Sequence, residues 1–245
     1  MRAIGVIPAR WGSTRFPGKP LAPIAGVPLV ERVYRRAVGA RHLDAVYVAT
    51  DDARIAEACA GFGAPVRMTR SDHATGTDRI AEAIGELEAG IVVNIQGDEP
   101  LVDPAALDDL VERLQRDAQA DIATLAHPAN ADALDDPNRV KVVTTVTGDA
   151  LYFSRSPIPH PRDAPVAPLQ HVGVYAFRRS ALTRFVQLPQ TPAERAEGLE
   201  QLRALQHGMR IVVVTVHSWV AAAVDVPADV ARVEAILARQ PPRND

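Results

Sequence analysis

Two clusters of residues in this sequence have the types and spacing needed to handle a polyphosphate. The first is the run Ile4–Ala9 followed by Arg10-Trp11-Gly12-Ser13-Thr14-Arg15-Phe16-Pro17-Gly18-Lys19. An apolar run of this length, ended by turn residues, reads as a buried strand. The loop after it concentrates Arg10, Arg15 and Lys19 among glycines, which let backbone N–H groups approach an anion closely. A solvated basic loop is the plainer alternative. The second cluster is Gln96-Gly97-Asp98-Glu99-Pro100, after the apolar run Ile91–Ile95. A carboxylate at a strand end, facing a basic phosphate loop, suits a hard divalent ion. Magnesium takes oxygen ligands and needs only one or two carboxylates beside phosphate oxygens. Asp98 is the first candidate ligand, and capping of the next helix by Asp98-Glu99 is the alternative. Asp225, after Val220–Val224, could approach Asp98 if its loop lies at the same sheet edge.

Familiar phosphate loops do not match. A Walker A loop needs G-x-x-x-x-G-K-[ST]. Here Gly12 and Gly18-Lys19 are one residue too far apart, and Pro20 replaces the hydroxyl residue. The first strand is not followed by G-x-G-x-x-G, no His/Cys cluster has zinc spacing, and no G-x-S-x-G elbow occurs. The polar loop Arg70-Ser71-Asp72-His73-Ala74-Thr75-Gly76-Thr77 precedes a helix-period segment. Thr77 is the expected N-cap there, whereas Arg70 and Ser71 could contact a base edge.

The elements that position these loops follow from periodicity. Strands are expected at Ile4–Pro8, Ala45–Ala49, Ile91–Ile95, Ile122–Ala126, Val140–Val146, His171–Phe177 and Ile211–Val216. Helical faces are formed by Leu29-Val30/Val33-Tyr34/Val38, by Ile55-Ala56/Cys59/Phe62 and by Ile80-Ala81/Ile84/Leu87. Alternating strands and helices predict parallel strands with right-handed crossovers. Ligands of such sheets sit beyond the carboxyl ends of the strands. The segments 9–19, Asp51-Asp52 and Gln96–Pro100 would all lie there. The proline-rich stretch Ser154–Gln170 reads as an ordered, extended excursion. Glu194–His207 reads as a helix, Pro227–Arg239 as a closing helix and Gln240–Asp245 as a frayed tail.

Composition narrows the function classes. The 245 residues are 47% hydrophobic and 23% charged, with a formal net charge of −3. That balance speaks for a globular core and against a general nucleic-acid binder. Cys59 is the one cysteine, so it forms no intramolecular disulfide. It is expected to be a core residue in a reducing compartment. Arg10 interrupts the N-terminal apolar run too early for a signal peptide, and no run approaches the ~20 apolar residues of a membrane span. The expectation is a cytoplasmic protein with neither nucleic-acid nor membrane partners.

Taken together, the segments IPARWGSTRFPGKPL, VATDD, MTRSDHATGTDR, VNIQGDEPLV, NRVKVV, ALYFSRSPIP, HVGVYAF, LEQLRAL and VDVPADV resemble the CMP-Kdo synthetases, or 3-deoxy-manno-octulosonate cytidylyltransferases, over nearly the whole chain. The resemblance implies a three-layer α/β sandwich of the nucleotide-diphospho-sugar transferase type, Rossmann-like, with a mostly parallel mixed sheet. It implies one nucleotidyltransferase domain over 1–245, with 130–180 contributing a smaller acceptor and dimerisation subdomain, and a homodimer. The implied reaction joins CTP and a sugar acid, Kdo, to give CMP-Kdo and pyrophosphate with Mg²⁺, in lipopolysaccharide or capsule synthesis. By the same resemblance, Ala9, Arg10, Ser13 and Lys19 bind the triphosphate, and Arg70, Ser71, Thr75 and Gly76 bind cytidine. Asp98 and Asp225 hold magnesium. Arg155, His171, Tyr175, Glu200 and Gln201 line the acceptor pocket, with Gln96 between nucleotide and sugar. Arg10, Lys19, Asp98 and Asp225 form the catalytic set.

The sequence departs from the family where Val220-Ala221-Ala222-Ala223-Val224 precedes Asp225, because relatives commonly carry glycines there. This leaves room for another acidic acceptor, such as a different ulosonic acid or a small phosphonate. It also leaves room for a nucleotide-binding protein without catalysis.

Overall fold

The structure, a computed structural model, describes residues 1–12, 15–129, 133–160, 162–163, 167–217, 219–220 and 222–239. In chain order the elements are β1 (Ala3–Ala9), β2 (Pro23–Ile24), β3 (Val27–Pro28), α1 (Leu29–Ala37), β4 (Ala45–Thr50), α2 (Ala53–Gly61), β5 (Val66–Met68) and α3 (Gly76–Ala83). There follow β6 (Ile91–Asn94), α4 (Pro104–Arg116), β7 (Ile122–Pro128), β8 (Lys141–Thr144), β9 (Ala150–Ser154), β10 (Leu169–Arg178), α5 (Arg179–Phe185), α6 (Pro192–Glu197), α7 (Gln201–Gln206), β11 (Ile211–Thr215) and α8 (Ala228–Leu237). The fold is mixed α/β, and the chain divides into two compact units.

The first unit holds Ile4–Leu87, Asn94–Pro104 and Val220–Asp245. β1 pairs parallel with β4, from Ile4 opposite Ala45 to Ala9 opposite Thr50, and β4 pairs parallel with β5. Past the end of β6, Ile95 N–H donates to the Val6 carbonyl at 3.0 Å, which ties the 94–104 segment to β1. The helices cover these strands with most of the faces expected from periodicity, but Val38, expected on the α1 face, is the C-cap beyond the last turn and is 49% exposed. α1 buries Leu29, Val30, Val33 and Ala37, and α2 buries Ile55 and Cys59. Each fully buried Leu, Ile or Val contributes about 1.5–3 kcal/mol from leaving water. Burial pushes the Cys59 thiol up to about 11, which suits a packing role. α3 starts with a capping box: Thr75 Oγ1 accepts from Asp78 N–H, and the Asp78 carboxylate accepts from Thr75 N–H. The N-cap is therefore Thr75 and not Thr77, which is buried in the first turn. The expected spacing was two residues out because the Asp at N3 completes the reciprocal bonds only with Thr75.

The second unit holds Met1–Ala3, Glu88–Val93 and Ala105–Trp219, so residues 130–180 fall inside it. Its strands follow the order β11-β7-β10-β6. β11 is parallel to β7, whereas β10 is antiparallel to β7 and to β8, and β8 forms a hairpin with β9. β9 was not anticipated, because its residues ALYFS lack strict alternation. The expected helix Glu194–His207 is two helices. Gly198 adopts φ 62°, a left-handed conformation that ends α6 before α7 begins. Among the described residues no helix is long and apolar enough to cross a membrane.

Candidate active site

A cavity of about 260 Å³ opens within the first unit, beyond the carboxyl ends of β1 and β6. Its lining includes Ala9, Arg10, Arg15, Lys19, Thr75, Gly76, Gln96, Asp98 and Asp225. The topology explains the convergence. β1 delivers Ala9 and Arg10, the short 3₁₀ turn Lys19–Leu21 delivers Lys19, and the α3 N-terminus delivers Thr75 and Gly76. Gly97 is needed for this approach. A Cβ there would stand 2.8 Å from the Pro8 carbonyl oxygen, closer than carbon and oxygen pack.

Lys19 is the centre of the site. Its Nζ donates to Asp98 Oδ2 at 2.9 Å and to the Val224 carbonyl at 2.9 Å, and it lies 3.7 Å from Asp225 Oδ1. The two aspartates are thus brought to one ammonium from distant parts of the chain. The path to Asp225 is held by backbone: Val224 N–H donates to the Asp98 carbonyl at 2.9 Å, and Ala222 and Val224 are fully buried. Ser13 and Ala221 lie outside the described residues. Arg15 reaches Asp225 at 3.1 Å, but both side chains are exposed, so this pair is worth little in water. Arg10 is exposed and has no bonded partner among the described residues.

Glu99 and Arg79 were missed by sequence reasoning. Burial, then the neighbouring Asp98 charge, pushes the Glu99 carboxyl up to about 8. Its Oε2 is buried and has no hydrogen-bond partner among the described residues. Arg79 lines the cavity while buried; it forms an ion pair with Asp51 Oδ1 at 3.0 Å and donates to Thr69 Oγ1 at 2.5 Å. It therefore ties α3 to the chain ends that follow β4 and β5. The one signal for it was its place in the turn after the Thr75–Asp78 box. Arg70 and Ser71 are exposed and stand outside the cavity lining. Their loop is held by Glu82, which accepts from Arg70 N–H and meets His73 Nε2.

Magnesium can be tested against this donor set. Among the described residues no three His, Cys, Asp or Glu side chains form a closed metal cage. Two carboxylates on one side of an open cavity, with a buried carboxyl oxygen left unbonded beside them, form an incomplete oxygen shell. That fits an ion which draws its remaining ligands from phosphate and water.

The residues expected around the acceptor, Gln96 apart, lie in the second unit. The His171 and Tyr175 rings on β10 meet at 5.4 Å with a 48° tilt, and the Phe153 ring is edge-on to His171 at 5.0 Å. Burial pushes His171 down to about 3, and burial with the Glu200 charge raises Tyr175 well above its ordinary value. Gln201 Nε2 is buried without a partner among the described residues. Arg155 is held by its neighbours: its Nε donates to the Glu197 carbonyl at 2.7 Å, and its Nη1 to the Pro137 carbonyl at 2.9 Å. The fully buried Lys141 donates to the Arg155 carbonyl at 2.7 Å.

Comparison with known proteins gives this geometry its family. The cytidylyltransferase family model matches residues 4–211. The 3-deoxy-manno-octulosonate cytidylyltransferase of Syntrophotalea carbinolica is 50% identical, over 97% of this chain and 99% of its own length. That of Myxococcus xanthus is 52% identical, over 96% of each. The solved structure of a CMP:2-keto-3-deoxy-manno-octonic acid synthetase complexed with CTP superposes with a TM-score of 0.95 at 44% identity, covering 98% of this chain and 99% of that one. With relatives this similar along nearly its full length, the chain belongs to the 3-deoxy-manno-octulosonate cytidylyltransferase family.

Proposed function

We propose that this protein transfers the cytidylyl group of CTP to a hydroxyl of Kdo, releasing pyrophosphate, with Mg²⁺ bound by Asp98 and Asp225. The observation that carries the reading is the convergence of Lys19, Asp98 and Asp225 in a cavity that Arg10 also lines. The full-length likeness to named cytidylyltransferases supports it.

The chemistry asks for positioning and charge neutralisation more than for a covalent nucleophile. The acceptor hydroxyl oxygen forms a bond to the α-phosphorus as the bond from that phosphorus to the β-phosphate oxygen breaks, and the hydroxyl proton passes to solvent. Arg10 and Lys19 stabilise the charge that builds on the departing pyrophosphate. Lys19 can do so while held in place: Asp98 and the Val224 carbonyl take two of its three N–H donors, and one remains for a phosphate oxygen. Asp98 and Asp225 would hold a magnesium ion, which would supply charge withdrawal when bound. Thr75 and Gly76, at the N-terminus of α3, take the nucleoside side of the cavity, with the Arg70-Ser71 loop beside them. His171, Tyr175, Glu200, Gln201 and Arg155, with Gln96, are the residues assigned to the sugar acid.

Incubation with CTP, Mg²⁺ and Kdo should release pyrophosphate in step with CMP-Kdo. A panel of other ulosonic acids and small phosphonates should react more slowly. No release with Kdo at high enzyme concentration would reject the assignment.

A further inference from the structure

Thr124 sits fully buried on β7, opposite a break in the register of β10. Val172 pairs with Leu125 and Tyr175 with Thr124, so Gly173 and Val174 form a bulge with no partner on β7. The Thr124 hydroxyl fills that bulge. Its Oγ1 lies 2.9 Å from the Val174 carbonyl oxygen, 3.3 Å from the Val172 carbonyl oxygen and 3.0 Å from His171 Nε2.

A proton count decides the direction of each bond. A threonine hydroxyl has one proton and two lone pairs. Both carbonyls can only accept, so the Thr124 proton goes to a carbonyl. The contact with His171 must then run the other way, with Nε2–H donating to Oγ1. The reverse arrangement would aim hydroxyl lone pairs at two carbonyl oxygens in a buried place, where unpaired acceptors are costly. In a neutral imidazole a proton on Nε2 leaves Nδ1 bare. The low pKa of His171 keeps the ring neutral at physiological pH. Among the described residues nothing is bonded to Nδ1.

We infer that Thr124 is a positioning residue that locks His171 as the Nε2–H tautomer, so that His171 offers the acceptor substrate a hydrogen-bond acceptor at Nδ1 and selects for a hydroxyl donor there. The substrate part rests on the reading of His171 as an acceptor-binding residue, while the tautomer part rests on this geometry alone. A sugar-acid hydroxyl satisfies such a group. A carboxylate or phosphonate oxygen in the same place would meet lone pair with lone pair.

The test separates the two parts. ¹⁵N-histidine NMR of the full-length protein, with the His171 signals assigned by their loss in His171→Gln, should show the proton on Nε2. Thr124→Ser should keep that signature, and Thr124→Val should abolish its uniformity. In turnover, Thr124→Val should raise KM for Kdo about tenfold, the scale of one misdirected buried hydrogen bond. KM for CTP should not move, and Thr124→Ser should restore KM for Kdo. A proton on Nδ1 in the wild type overturns the inference, as does an unchanged KM for Kdo in Thr124→Val. Should Thr124→Val not fold, the wild-type and Thr124→Ser spectra still decide. Absence of turnover in the wild type would instead count against the proposed function and leave the tautomer standing.

Discussion

Lys19 and Asp98 stand 79 positions apart in the chain and 2.9 Å apart in space. Lys19 also lies between Asp98 and Asp225, so a single ammonium screens two carboxylates that would otherwise repel. On the proposed function, Lys19→Met removes a phosphate ligand and leaves the aspartates facing one another. The expected result is a rise of roughly tenfold to a hundredfold in the dissociation constant for CTP, the range for losing a charged hydrogen bond worth about 1.5–3 kcal/mol. Calorimetric titration with CTP and Mg²⁺ checks it, and unchanged affinity would remove Lys19 from the site.

Gly97 bears on how closely β6's exit loop approaches β1. In Gly97→Ala the new methyl meets the Pro8 carbonyl oxygen at 2.8 Å, and that oxygen belongs to backbone that cannot swing away. The loop carrying Gln96 and Asp98 must shift by several tenths of an ångström. Because a small misplacement of reacting groups is expensive in rate, kcat should fall by at least tenfold. Circular dichroism should still report a folded protein. Full activity in Gly97→Ala would mean the loop has slack the structure does not show.

The loop proposed to hold phosphate is pinned at its base by Trp11. Gly18 N–H donates to the Trp11 carbonyl at 3.1 Å, Gly18 packs under the indole, and the Arg54 guanidinium lies 3.4 Å above the ring centroid. Arg54 is itself clamped by both carboxylate oxygens of Asp52 at 3.0 and 2.6 Å. Arg10 and Lys19 flank the two ends of this pin. An exposed cation–π stack is worth about 0.5–1 kcal/mol, so Arg54→Ala should raise KM for CTP about two- to fivefold with little change in kcat. Trp11→Leu should do the same, and the double variant should be no worse than either. Additive losses in that cycle would show that the two side chains act separately.

The depressed pKa of His171 makes stability depend on pH. Burial holds His171 near 3 in the folded protein, while in an unfolded chain it titrates near 6.5. Between those values the unfolded state binds a proton that the native state does not, so the stability contribution is complete above 6.5 and drains away as pH falls towards 3. The unfolding midpoint of the wild type should therefore drop between pH 7 and 4 more steeply than that of His171→Gln. Parallel curves would show that His171 is not held neutral by its surroundings.

Much of the fold was legible because burial and period coincide. Leu29, Val30 and Val33 recur at helical spacing and are buried on α1, while Val38 falls past its end and is exposed, and the apolar runs at 4–8, 45–49 and 91–94 fall on strands. The helix break at Gly198 and the capping role of Thr75 were misread, since both depend on one residue's backbone conformation or on a reciprocal pair of bonds. The proposed site was legible where charge sits on a loop after a strand, as with Arg10, Lys19 and Asp98. It was not legible where the group is buried. Arg79 and Thr124 have ordinary sequence neighbours, and their chemistry comes from what packs against them 10 and 50 residues away, while Glu99 owes its raised pKa first to burial and then to the adjacent Asp98. The Ala222–Val224 stretch also reads differently in three dimensions: its backbone carries a carbonyl to Lys19 and an N–H to Asp98, so methyl groups in place of glycine leave Asp225 beside the ammonium.

The most direct test of the central claim is pyrophosphate release from CTP and Kdo by wild type and Asp98→Ala across a Mg²⁺ titration. The account expects Mg²⁺-dependent turnover in the wild type and a loss of roughly a thousandfold or more in Asp98→Ala, the scale of several kcal/mol of transition-state charge stabilisation, with the variant still folded. Wild-type rates and the same Mg²⁺ dependence in Asp98→Ala would contradict it.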